Sequence, residues 1–160
     1  MFSMLTSMDV LEGARVLDLF AGSGALAVEA LSRGAASAVL VDRDPMAVEA
    51  ARSNLEVLGP EEIDARVVRS DVIRYLEGAP RFDLVLADPP YEFDGWSALM
   101  SLLEPRTGLV VAETAAPFEV GSGWETVKHK KYGGTVVTVL QRVLPPAEGA
   151  VPLASQEGEI

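Results

Sequence analysis

The chain has 160 residues, a hydrophobic content of 49% and a net charge of −11, which together suit one acidic domain with a single core. It has no Cys and one His, so disulfides and cysteine nucleophiles are excluded, and neither zinc nor another metal is expected. The acidic balance also argues against a protein that binds nucleic acid by bulk electrostatics alone.

The amino-terminal segment carries no recognisable targeting signal. It lacks a basic stretch and is interrupted by Asp9 and Glu12, and no apolar run in the chain approaches the roughly 20 residues that span a bilayer. We therefore predict a cytoplasmic protein with no membrane partner, and we expect a monomer.

Short runs rich in Val and Leu alternate with helical segments along the first two thirds of the chain. Strands are predicted at residues 15–20, 37–42, 65–69, 82–87 and 108–113. Helices are predicted at residues 23–33, 45–58, 72–77 and 96–103. Such alternation predicts an α/β fold in which helices cover both faces of a parallel sheet, with a ligand crevice at the carboxyl ends of the strands.

The last part of the pattern differs from the rest. Residues 126–131 and 135–142 flank Tyr132-Gly133-Gly134, a turn signal that predicts a hairpin and an antiparallel edge to the sheet. The predicted fold is therefore a single doubly wound, Rossmann-like sheet of about seven strands, mostly parallel, formed by residues 1–144. The Pro, Gly and Glu content from Pro145 onward predicts a disordered tail at residues 145–160.

A glycine loop follows the first strand and opens the first helix. In Asp18-Leu19-Phe20-Ala21-Gly22-Ser23-Gly24 the two glycines allow a tight turn and a close approach to a ligand. Ala27 stands where dinucleotide-binding loops carry a third glycine, a replacement that the looser motif permits, so spacing alone leaves a pyrophosphate ligand open. The Asp18 carboxylate would repel a pyrophosphate but could receive an ammonium group, which favours S-adenosylmethionine over NAD.

Two further carboxylates end strands at the same predicted edge. Asp42 ends the second strand and is placed to accept hydrogen bonds from both hydroxyls of a ribose, because its other natural role, helix capping, suits Asp44 better. Asp71 closes the third strand and could accept from an adenine amino group. It could equally cap the helix that begins at Val72, and the sequence leaves both roles open.

The motif Asp88-Pro89-Pro90-Tyr91 ends the fourth strand. An exocyclic amine on a base is a poor nucleophile because its lone pair is delocalised into the ring. The Asp88 carboxylate and the Pro89 carbonyl oxygen can each accept one N–H and so orient that lone pair, while Pro90 stiffens the turn. Tyr91 offers an aromatic face to the base, a contact worth about 1–3 kcal/mol in base-stacking proteins. The motif predicts methyl transfer to an amino group.

These motifs resemble those of class I S-adenosylmethionine-dependent methyltransferases. More narrowly, VLDLFAGSGALAVEALSRGA, DLVLADPPY and KYGGTVVTVLQR resemble the bacterial 16S ribosomal RNA guanine-amino methyltransferase family, from Met1 to Arg142. The resemblance implies that the cofactor site is lined by Phe20, Gly22, Gly24, Asp42 and Asp71, and that the guanine is held by Asp88, Pro89 and Tyr91. To the predicted cofactor-binding set we add Asp18, Ala21, Arg43 and Val72.

The resemblance also implies a partner, ribosomal RNA in the small ribosomal subunit. Members of the family usually begin with a basic hairpin that leads into a helix like residues 2–7, whereas this chain starts inside that helix, so we expect weak RNA binding on its own. The lysines within residues 128–131 either meet phosphates or form a solvated strand face, and His129 is expected to be incidental. Three alternatives stay open: adenine in DNA, a protein glutamine, and a non-catalytic binding domain.

Overall fold

The computed structural model describes residues 1–59 and 61–145. Its strands are β1 (Arg15–Leu19), β2 (Ser37–Asp42), β3 (Asp64–Arg69), β4 (Leu84–Ala87), β5 (Leu109–Thr114), β6 (Trp124–Tyr132) and β7 (Thr135–Arg142). Its helices are α1 (Phe2–Ser7), α2 (Ala25–Ser32), α3 (Pro45–Val57), α4 (Val72–Glu77) and α5 (Trp96–Leu103).

All seven strands form one sheet, in the order β3-β2-β1-β4-β5-β7-β6. The first five strands are parallel, and β7 joins β5 antiparallel and forms the hairpin with β6. The predicted doubly wound fold with an antiparallel edge is confirmed. The predicted tail lies outside the described residues from position 146 onward.

Successive side chains of each strand point to opposite faces of the sheet, so the core is divided into two clusters. On β1, Val16 packs in the core cluster beneath α1, α2 and α3, whereas Leu17 and Leu19 pack in the cluster that includes α4 and α5. Asp18 lies between those two leucines and therefore faces the same side as Val16, because side chains of a strand point alternately to opposite faces. Both faces of the sheet are thus covered by helices, as parallel strands require.

Two of the predicted boundaries move because the glycine loop is longer at both ends than expected. The sequence predicts that the first strand includes Phe20, but β1 ends at Leu19, since Phe20 has a left-handed backbone with φ of 59°. The first long helix starts at Ala25 instead of Ser23, because Gly24 is its N-cap with φ of 81°. A Cβ at Gly24 would lie 2.6 Å from Leu40 Cδ2, so only glycine lets the loop pack this closely on β2.

The parallel strands bring their carboxyl ends to one edge of the sheet, where the loops after β1, β2, β3, β4 and β5 meet. Within the described part of the chain, no helix has the length and apolar character needed to cross a membrane.

Candidate active site

Two adjoining clefts lie at the carboxyl edge of the sheet. The β2–β4 cleft has a volume of about 560 Å³ and is lined by Phe20, Asp42, Arg43, Asp44, Ser70, Asp71, Val72, Asp88, Pro90, Glu92, Phe93 and Asp94. The β4–β5 cleft has a volume of about 520 Å³ and is lined by Asp88, Pro89, Pro90, Tyr91, Phe93, Trp96, Glu113, Thr114, Ala115, Ala116, Pro117, Phe118 and Thr135. Asp88, Pro90 and Phe93 belong to both clefts, so the motif after β4 forms their common wall.

The β2–β4 cleft is strongly acidic. Six carboxylates line it and Arg43 is its one basic residue. A pyrophosphate would be repelled there, whereas a cationic ligand would be attracted. Among residues 1–59 and 61–145, no three His, Asp or Glu side chains are arranged to hold a metal ion.

Asp42 connects the loop after β1 to the loop after β2. Its Oδ2 accepts from the Gly22 N–H at 2.9 Å, and its Oδ1 accepts from the Asp44 N–H at 2.9 Å. Each carboxylate oxygen has a second lone pair, so both can accept one further hydrogen bond on the cleft side. Asp44 caps α3 by accepting from the Met46 N–H at 2.8 Å, which confirms the assignment of capping to Asp44 and not to Asp42.

Asp71 is the N-cap of α4. Its Oδ1 accepts from the N–H groups of Ile73 at 2.9 Å and Arg74 at 3.2 Å. The capping role that the sequence left open is therefore present, and contact with an adenine amino group stays a prediction. The neighbouring Val72 is buried and lines the β2–β4 cleft, where it supplies an apolar surface beside the carboxylates.

Asp18 lies away from the surface of both clefts. It is 1% exposed, and its Oδ2 accepts from the Ala27 N–H in α2 at 3.1 Å. Burial raises the pKa of Asp18 to about 7, the Ala27 N–H opposes that increase, and the charges of Asp88 and Asp42 add to it. The carboxylate therefore anchors α2 to β1, and its predicted contact with an ammonium group stays a prediction.

The backbone of the glycine loop is hydrogen-bonded to the end of β2, next to the β2–β4 cleft. The Ala21 N–H donates to the Val41 carbonyl at 3.0 Å, and Gly22 donates to Asp42. Ala21, Gly22 and Gly24 are not among the residues that line the cleft. Phe20 does line it, held in a left-handed conformation that costs a non-glycine residue on the order of 1–3 kcal/mol. Such strain is typical of residues kept for a ligand-binding geometry.

The motif after β4 forms a tight turn. The Phe93 N–H donates to the Pro90 carbonyl at 3.0 Å, and Tyr91, which is 84% exposed, stands at the rim of the β4–β5 cleft. Partial burial raises the pKa of Asp88. Within the described residues no hydrogen-bond donor reaches the Asp88 carboxylate, so its oxygens remain available as acceptors.

Aromatic side chains run from one cleft into the other. The rings of Phe20 and Phe93 meet edge to face at 4.9 Å, those of Phe93 and Trp96 at 5.5 Å, and Trp96 stacks on Phe118 at 3.7 Å. Edge-to-face and stacked pairs each stabilise such a wall by about 0.5–1.5 kcal/mol. The β4–β5 cleft is therefore lined by aromatic rings, of which the nearly parallel Trp96–Phe118 pair suits contact with a planar ligand.

Sequence reasoning missed Phe93, Trp96, Glu113 and Phe118. Glu113 ends a predicted strand at the ligand edge, which is the same signal that identified Asp42 and Asp88, and it could have been found. Burial and the Asp88 charge raise the pKa of Glu113, with a smaller opposing effect from the amino terminus. Phe118 lies in an irregular loop and carried no recognisable signal.

Residues 1–141 match the family model described as "Conserved hypothetical protein 95". The chain belongs to this family. The match spans β1 to β7 and includes both clefts, so the family resemblance inferred from the motifs is confirmed.

Relatives and solved structures agree with this membership. The chain is 38% identical over 144 residues to YlbH of Bacillus subtilis, named as a candidate rRNA methyltransferase, covering 82% of this chain and 77% of the relative. It is 33% identical over 147 residues to "Ribosomal RNA small subunit methyltransferase D" of Escherichia coli, covering 83% and 71%. The structure of yhhF from Escherichia coli, described as a candidate methyltransferase, aligns with a TM-score of 0.78 at 32% identity, covering 88% and 81%.

Proposed function

We propose that this protein transfers a methyl group from S-adenosylmethionine to the exocyclic amino group of a guanine in 16S ribosomal RNA of the small ribosomal subunit. The observation that carries the proposal is the position of Asp88, which lines both clefts. The acidic β2–β4 cleft suits a cationic cofactor and the aromatic β4–β5 cleft suits a base. The names of the ribosomal RNA methyltransferase relatives support RNA as the carrier of that base.

The residues of the β2–β4 cleft fit the cofactor. When bound, S-adenosylmethionine supplies a methyl group activated by a positively charged sulfur. The excess of carboxylates over Arg43 favours such a cation over a pyrophosphate. Asp42 would accept from the ribose hydroxyls with its remaining lone pairs, and Phe20 and Val72 would contact the adenine.

The other cleft would hold the amine. Asp88 and the Pro89 carbonyl oxygen would each accept one N–H, which would turn the nitrogen lone pair towards the cofactor in the β2–β4 cleft. Preorganised acceptors of this kind are typically worth about 10²–10³ in rate. The amine must also lose a proton, and the raised pKa of Asp88 makes its carboxylate a better acceptor for that proton. Tyr91 at the rim would stack on the base.

RNA contact would come from the edge strand β6. Lys128, Lys130 and Tyr132 line a shallow cavity next to α1 with a volume of about 640 Å³, and Lys130 Nζ lies 5.0 Å from the centre of the Tyr132 ring. This basic surface is small in a chain of net charge −11. Because a buried base costs a few kcal/mol to unstack, we expect the protein to act on an assembled subunit that presents the guanine.

Methyl transfer to different acceptors tests the proposal. With radiolabelled S-adenosylmethionine, we expect label in isolated small ribosomal subunits, much less in naked 16S RNA and none in DNA. Mass spectrometry of the nucleosides should identify guanine methylated at its amino group. Robust transfer to DNA, or a methyl group on another base, would contradict the proposal.

The cofactor assignment predicts a binding defect in Asp42→Ala. Removing the carboxylate leaves ribose hydroxyls unpaired in the cleft and should weaken S-adenosylmethionine binding by about 1–3 kcal/mol, measured by calorimetry. The control is Asp64→Ala, which removes an exposed carboxylate of β3 outside both clefts and should leave the affinity unchanged. Unchanged affinity in Asp42→Ala, or measurable heat on titration with NAD, would exclude this assignment.

A further inference from the structure

We propose that Glu113 determines base specificity by accepting the N1–H of the target guanine beside the amino group held by Asp88. This inference rests on the proposed function and assigns a role to a carboxylate that the amine-binding mechanism does not use. It would make the β4–β5 cleft a reader of the guanine Watson–Crick edge.

Sheet register places the two carboxylates side by side. Strands β4 and β5 are parallel, with Ala87 opposite Ala112. Asp88 and Glu113 are the residues that follow this pair, one on each strand. Neighbouring strands lie about 4.8 Å apart, and residues at matching positions of paired strands share a face of the sheet. Both residues line the β4–β5 cleft, and Glu113 is half-buried there.

The chemistry of the guanine edge matches two adjacent acceptors. Guanine presents N1–H and its amino N–H groups side by side, so it offers donors to both carboxylates. Adenine and 2-aminopurine carry a lone pair at N1, which the Glu113 carboxylate would repel. A site built to accept a donor discriminates strongly against a ligand that lacks it, because a buried acceptor is then left unpaired.

The aromatic wall limits how the base can sit. Trp96 stacked on Phe118 lines the same cleft as the two carboxylates. A base that stacked on this ring pair would turn only in its own plane, and its edge would then face Asp88 and Glu113 together. Discrimination would then depend on the N1 atom and not on the size of the base.

The test compares two five-nucleotide RNAs that differ at one base, with guanine or 2-aminopurine between uridines. Both bases carry the amino group, and only guanine has N1–H. In the presence of saturating S-adenosylhomocysteine, we expect the wild-type protein to bind the guanine RNA about tenfold more tightly or better, measured by calorimetry. Glu113→Met fills a similar space without a carboxylate and should bring the two dissociation constants to within about twofold. A loss of this size is typical when one hydrogen bond to a base edge is removed.

Two further variants separate base reading from a general effect. Glu113→Gln keeps one acceptor oxygen and should retain part of the preference, and Glu125→Met, an exposed position on β6, should retain all of it. If Glu113 acted only by repelling the Asp88 charge, Glu113→Met would change binding of both RNAs equally and leave the ratio intact.

The outcomes distinguish the two proposals. A wild-type protein that methylates small subunits but binds both RNAs equally would overturn the role of Glu113 and leave the proposed function standing. A preference that survives Glu113→Met would overturn it as well. Absence of methyl transfer to any RNA would overturn the proposed function, and the role of Glu113 with it.

Discussion

Asp88→Ala should lower turnover on small ribosomal subunits by about 10²–10³-fold or more. The Asp88 carboxylate is the group at the common wall of the clefts whose oxygens remain available to an amine. Its loss removes one of the two acceptors that orient the nitrogen lone pair, and the Pro89 carbonyl oxygen cannot replace it because a backbone atom at this stiff turn cannot move. The rate is measured as single-turnover methyl transfer at saturating cofactor.

The same variant should leave cofactor affinity within a few-fold, because five other carboxylates still line the β2–β4 cleft. Asp88→Asn, which keeps one acceptor oxygen, should fall between the wild type and Asp88→Ala. The matched control is Asp83→Ala, which precedes the opposite end of β4. Its carboxylate accepts from the Arg15 N–H at 2.8 Å and lines neither cleft. Near wild-type turnover in Asp88→Ala would show that the amine-acceptor mechanism is wrong.

The positions of most site residues could be predicted from the alternation of strands and helices along the chain. Alternating strands and helices predict a parallel sheet, and the carboxyl ends of parallel strands lie at one edge. Asp42, Asp71 and Asp88 could therefore be assigned to that edge from the sequence. Glu113 was accessible to the same reasoning. Phe118 was not, because the path of a loop without regular structure depends on tertiary contacts that no local pattern encodes.

The glycine loop has packing roles that its motif did not predict. Gly24 was interpreted as a point of ligand approach, and the structure adds a packing reason, since a Cβ there would lie 2.6 Å from Leu40 Cδ2. Asp18 was interpreted as a carboxylate that could receive an ammonium group. Its alternation with Leu17 and Leu19 already placed it on the opposite face of the sheet, which could have been inferred from the sequence; the structure shows that α2 covers that face.

Asp18 should make the folded protein less stable as pH rises from about 4 to about 7. Its pKa in the folded state is raised to about 7, against 3.8 as the ordinary value, so the folded chain holds a proton that the unfolded chain has released. The stabilising contribution is fully present below the unfolded pKa and is lost as pH rises through the folded pKa. The rise of the pKa from 3.8 to about 7 corresponds to roughly 4 kcal/mol.

Asp18→Asn isolates this contribution from those of the other carboxylates. The amide is neutral at every pH and its oxygen can still accept from the Ala27 N–H, so the hydrogen bond to α2 survives. The difference in unfolding free energy between wild type and variant, measured by urea denaturation from pH 4 to pH 8, should change by roughly 4 kcal/mol in favour of the variant. Asp64→Asn, at an exposed position on β3, tests whether loss of any carboxylate has this effect.

Proton release on cofactor binding tests whether Asp18 contacts the cofactor. If the ammonium group of S-adenosylmethionine comes near the carboxylate, it favours the ionised form, so binding at pH 6 should release a proton. Calorimetry in two buffers of different ionisation enthalpy measures that proton, and Asp18→Asn should abolish its release. Equal proton release by wild type and variant would mean that Asp18 only anchors α2, and that the positive charge of the cofactor is met by the carboxylates that line the β2–β4 cleft.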